Sequence, residues 1–70
     1  MDIHVFKTNL INRRRVHEIE STLDVHPQIY QWNVDLHDED KILRVLSNSI
    51  APAEVEDLLL SAGYYCEELK

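Results

Sequence analysis

The side chains able to do chemistry in this chain are few and scattered. Histidines stand at 4, 17, 26 and 37, and the one cysteine is Cys66. No two histidines are four residues apart or arranged His-x-His, so the sequence encodes no local metal site. A nucleophilic Cys66 needs a neighbour that stabilises its thiolate, and the adjacent Glu67 and Glu68 act in the opposite sense. Asp38, Glu39 and Asp40 crowd three acids together, without the spaced oxygen ligands and the glycine of a calcium loop. No glycine-rich phosphate loop exists, because Gly63 is the only glycine. No base is paired with a nucleophile. The sequence therefore predicts no catalytic residue, no cofactor and no enzyme.

A short basic segment remains. The chain carries 7 basic and 13 acidic residues, a net charge of −6. Residues 1–16 hold Lys7, Arg13, Arg14 and Arg15 against Asp2 alone, so this stretch is net positive and the remainder strongly negative. An acidic body disfavours nucleic acid and anionic membranes as general partners. The basic corner fits an acidic protein partner or a small anion.

Seventy residues allow one domain, here residues 1–70, since two cores cannot be built from so few. A hydrophobic content of 44% with one glycine and two prolines excludes disorder and low-complexity repeats. A single cysteine excludes an intrachain disulfide framework. No apolar run reaches the roughly 18 residues needed to span a membrane. The opening MDIHVFKTNLINRRR lacks the basic-then-apolar order of a secretory signal, so a cytoplasmic protein is expected.

Hydrophobic periodicity sets the elements that must position these groups. Residues 2–8 (DIHVFKT) alternate as a strand. Val16, Ile19 and Leu23 mark one face of a helix over 12–23, capped by Asn9 or Asn12 and ended before Pro27. Residues 29–36 and 42–46 read as two strands of a hairpin, joined by the polar HDEDK. Val55, Leu58, Leu59 and Ala62 give a second helix starting near Pro52 and ending at Gly63. A last strand lies within 64–69. The order β-α-β-β-α-β, with right-handed crossovers, predicts an α+β ferredoxin-like sandwich. Its four-stranded antiparallel sheet runs 4-1-3-2, with both helices on one face.

In strand and helix order the chain resembles the heavy-metal-associated domains, the small copper chaperones and N-terminal modules of metal-transporting ATPases. The resemblance rests on the loop FKTNLIN, the helix RRRVHEIESTL, Val34-Asp35-Leu36 in the hairpin and Ala62-Gly63-Tyr64 after the second helix. That family keeps Met-x-Cys-x-x-Cys in the first loop. In register, Lys7 falls on the methionine, Thr8 on the intervening residue, and Asn9 and Asn12 on the cysteines. Copper(I) prefers soft thiolates, and neutral amides are poor substitutes. The resemblance implies a domain whose metal-transfer chemistry is gone, with no metal ligands in this loop.

The expected binding site is thus the altered loop and helix start: Lys7, Thr8, Asn9, Asn12, Arg13 and Arg14. Free helix N–H groups beside fixed positive charge suit an anion. The alternative is a metal-homeostasis protein using a non-standard His/Cys or intersubunit site; His4 and Cys66 would lie on neighbouring strands. A further expectation concerns the sheet. With Ile3, Val5, Trp32, Val34, Leu36, Leu43 and Val45 toward the helices, the uncovered face presents His4, Phe6, Ile42, Arg44 and Leu46. An apolar patch there offers a homodimer contact.

Overall fold

The computed structural model describes all 70 residues. The elements are β1 (Asp2–Thr8), α1 (Arg13–Asp24), β2 (Ile29–Asp35), β3 (Ile42–Ser47), α2 (Pro52–Ser61) and β4 (Cys66–Glu68). The strands form one sheet in the order β2-β3-β1-β4, with every neighbouring pair antiparallel. This is the expected ferredoxin-like topology.

Local chemistry accounts for the helix ends. Asn12 sits in extended backbone, and its Oδ1 accepts the Arg15 N–H at 3.0 Å, capping α1. After Asp24 the chain turns at His26-Pro27. The His26 Nε2 then lies 2.5 Å from Glu54 Oε2, tying this turn to the first turn of α2. Pro52 opens α2, where its missing N–H is not needed. Gly63 closes it at φ +93°, a conformation that side chains with a Cβ rarely adopt. The Tyr64 N–H meanwhile reaches back to the Leu59 carbonyl at 2.9 Å.

The core joins one sheet face to both helices. Phe6, Leu43 and Val45 from the strands, Ile19 and Leu23 from α1, and Val55 and Leu59 from α2 are completely buried. Leu10 and Ile50, each just outside a regular element, complete it. Val16, Trp32, Val34 and Leu58 pack partly buried against this cluster, while Ala62 is exposed.

The phase of β1 is the reverse of the one expected. Phe6 stands opposite Leu43 and His4 opposite Val45, so His4 and Phe6 face the helices with Thr8. Ile3 and Val5 instead face the open side, Ile3 at 67% exposure. Alternation shows which residues share a face, and in β1 both sets contain apolar side chains. The larger Phe6 takes the interior because burying its ring removes more apolar surface from water. Ile42, Arg44 and Leu46 lie on the open face as expected, with Ile42 shielded at 7% exposure.

Cys66 is a core residue, 6% exposed and opposite Thr8. Burial, reinforced by the charge of Glu56, pushes its thiol up to about 12. Thiol reagents at pH 8 should therefore label it only as fast as the protein opens, and denaturant should release the full reaction; rapid labelling of the folded protein would contradict this placement. The phase of β1 gives a second test. Phe6→Ala should cost about 3–5 kcal/mol in denaturant unfolding, whereas Ile3→Ala should stay within about 0.5 kcal/mol. The opposite ranking would restore the alternative phase.

Candidate functional site

Three connections converge where β1 ends: the β1–α1 loop, the β2–β3 turn and the α2–β4 junction. Thr8 is the hinge of this meeting. Because Phe6 points inward, Thr8 does too, and it is 5% exposed. Its hydroxyl donates to the Lys41 carbonyl at 2.6 Å and accepts the Leu10 N–H at 3.2 Å. Its own N–H donates to the Asp40 carbonyl at 3.0 Å. Thr8, expected among the binding residues, is thus a buried brace and has no hydroxyl capacity exposed to a ligand.

The two asparagines are also engaged. Asn9 Oδ1 accepts the Tyr65 N–H at 2.9 Å across 56 residues of sequence, stitching the loop to the strand that follows α2. Asn12 Oδ1 caps α1 as described. Lys7 projects toward the open side, where its Nζ lies 3.6 Å from Asp40 Oδ1 in a half-exposed pair. Pairs of this kind contribute about 0–1 kcal/mol and exchange readily with solvent ions.

Two cations of the expected set therefore stand without an intrachain partner. Arg13 and Arg14 are exposed and make no ion pair, while Arg15 is paired with Glu18 at 3.4 Å. The backbone N–H groups of Arg13 and Arg14 likewise lack an acceptor in the chain, as expected in a first helical turn. Both arginines oppose the α1 dipole, an unfavourable arrangement that an external anion would relieve. Ile11, the loop residue just before the Asn12 cap, leaves its apolar side chain exposed at 59%.

A satellite cluster secures this corner. The Tyr64 hydroxyl donates to Glu18, which also pairs with Arg15. The Tyr64 hydrogen bond holds the Glu18 carboxyl below its ordinary range, and the same contact raises the Tyr64 phenol. Neither Tyr64 nor Tyr65 was distinguishable as a neighbour of the loop by any local signal, because sheet pairing alone brings them there.

No group of three or more His, Cys, Asp and Glu side chains is arranged to hold a metal ion. At the loop itself the nearest donors are amide oxygens already accepting N–H groups, with guanidinium charge alongside. His4 and Cys66 face the same side of the sheet, but His4 pairs with Glu68, its Nδ1 3.7 Å from the carboxylate, and Cys66 lies opposite Thr8. His4 and Phe6, expected on the uncovered sheet face, are on the covered one; the uncovered face carries Ile3, Val5, Ile42 and Leu46 interspersed with the polar Lys7, Gln31, Asn33, Arg44 and Glu67.

No helix is long and apolar enough to cross a membrane. No protein-family model matches the chain, and no curated protein matches it either. Solved structures do. A structure described under "Crosstalk between Cu(I) and Zn(II) homeostasis" superimposes with a TM-score of 0.83 at 15% identity, covering 99% of this chain and 100% of that one. The PacS N-terminal domain from Synechocystis PCC6803 gives 0.80 at 17% identity, with both chains covered completely. The apo HMA domain of the copper chaperone for superoxide dismutase gives 0.79 at 19% identity, covering 97% of this chain and 66% of that one. At these identities the likeness establishes the fold: the chain has the ferredoxin-like architecture of heavy-metal-associated domains.

Proposed function

We propose that this is a non-enzymatic, cytoplasmic interaction module of heavy-metal-associated fold. In this reading its metal loop has lost the thiolates, and the tip of that loop recognises a carboxylate-bearing protein partner. The observation that carries the reading is the division of labour in the loop. Asn9, Asn12 and Thr8 are consumed by intrachain hydrogen bonds, while Arg13 and Arg14 stand exposed and unpaired. Soft copper(I) does not fit such a donor set: the amide oxygens are hard and occupied, and the nearest free groups are cations. A carboxylate fits it through charge and through the open N–H groups of the first turn of α1. Exposed Ile11 adds apolar contact area to a surface otherwise selected by charge.

Such a contact works by complementarity of sign. The rest of the molecule is net acidic, so this corner is the most favourable approach for an acidic partner, which fixes its orientation. Phosphate or another small anion shares the same chemistry, but the exposed tip gives it no enclosing walls.

The test is an NMR titration of the folded protein with an oligo-glutamate peptide and, separately, with inorganic phosphate. The peptide should shift amides of residues 9–15 and Tyr65, the shifts should weaken with added salt, and Arg13→Ala/Arg14→Ala should abolish them. Shifts that persist in the double variant, or are absent from this corner, overturn the reading. Equilibrium dialysis against copper(I), zinc(II) and nickel(II) separates the alternative. The proposal requires no stoichiometric retention, and tight retention would restore a metal-handling role through another site.

A further inference from the structure

The two edges of the sheet differ. At one edge β4 is only three residues long and carries Glu67 and Glu68, both of which discourage pairing with another strand. At the other edge β2 runs for seven residues, and residues 29–34 contain no charge and no proline. The outward main-chain groups of residues 30–35 make no hydrogen bond beyond the pairing with β3. Such an edge is open to an added strand.

Between α1 and β2 lie two hollows of about 420 and about 390 Å³, and Glu20 belongs to the wall of both. The charge along them changes sign. The larger has Val16 and Val34 as apolar walls with Arg13 at its rim, whereas the smaller, beside Tyr30, holds Glu20 and Asp24 and no base. Glu20 is paired only with His17, and Asp24 only accepts the Trp32 Nε1–H at 2.7 Å, so neither carboxylate meets a lysine or arginine of the chain. Helix α1 ends at Asp24 with no basic residue in its last turn, so the negative end of its dipole adds to the two carboxylates. Tyr30, 57% exposed, and Trp32 contribute aromatic surface against which a cationic side chain lies favourably. On the open side of the strand a third hollow, about 210 Å³, is bordered by Ile3 and Leu46 and has Arg44 in its wall.

We propose that β2 accepts an antiparallel strand from a basic protein partner, an extended β-branched segment whose lysine or arginine seats beside Glu20, Asp24, Tyr30 and Trp32. Main-chain pairing along the free edge holds the segment, and charge selects which segment it is. The cation belongs in the acid-lined hollow. Apolar residues belong against Val16 and Val34 and on the open side, where Arg13 and Arg44 oppose a second cation. At longer range the net charge of −6 draws a basic partner toward the body of the protein. The cation subsite contains neither Arg13 nor Arg14, so this proposal does not depend on the carboxylate-binding corner.

Trp32 is the only tryptophan and lines the acidic hollow, so its emission reports on occupancy directly. The probes are two terminally blocked heptapeptides of alternating valine and threonine, one with arginine and one with glutamate at the next-to-last position. The arginine peptide should shift Trp32 emission saturably, weaken as salt is added, and bind at least about tenfold more tightly than the glutamate peptide. Glu20→Gln/Asp24→Asn should weaken it at least about tenfold, whereas Asp57→Asn/Glu67→Gln, which removes the same charge from α2 and β4, should change it less than about twofold. Saturating arginine peptide should also slow hydrogen exchange of the wild-type β2 amides. Equal affinity for the two peptides, or no saturable shift up to millimolar concentration, overturns the proposal. So does an equal loss in both double variants, which would reduce the attraction to overall charge. Binding that leaves β2 exchange unchanged overturns the strand pairing.

Discussion

Two short helices can cover only one face of a four-stranded sheet, and the burial of Phe6 decides how β1 meets that constraint. With Phe6 packed into the cluster of Leu43, Val45, Ile19 and Leu59, the strand's alternation is fixed for its whole length. Thr8, two residues on, must then enter the interior, and Lys7 must leave it. The inward hydroxyl of Thr8 finds the Lys41 carbonyl and the Leu10 N–H, which satisfies it and curls the chain so that Leu10 is buried. A single core contact thus propagates through strand geometry to the shape of the β1–α1 loop.

The loop's polarity follows from the same bracing. Asparagine at position 9 supplies a carbonyl that holds the Tyr65 N–H, and asparagine at 12 supplies one for the Arg15 N–H. Both asparagines keep the loop closed through hydrogen bonding. What they leave at the surface is positive: Arg13 and Arg14, in a first turn where the helix dipole already favours anions. The chemistry of the corner differs in sign from a thiolate site while the backbone scaffold around it keeps the heavy-metal-associated shape.

Much of this was legible in the sequence. The alternation over 2–8, the helical spacing of Val16, Ile19 and Leu23, the stripe of Val55 and Leu59 and the terminal glycine at 63 specify the elements and their order. They do so because helix and strand periods are local properties of the chain. The candidate loop was legible as composition, in the run of arginines after Asn12. Its division into braced and free residues was not, since Thr8 finds its acceptor 33 residues away and Asn9 its donor 56 residues away.

The sequence by itself therefore determined the secondary structure, the handed topology and the placement of a basic corner on an acidic body. Only the tertiary structure decided which side of β1 is interior, because both of its faces carry apolar residues and packing volume breaks the tie. It likewise decided which loop groups remain available, because hydrogen-bond partners from distant segments are assigned only when the sheet closes.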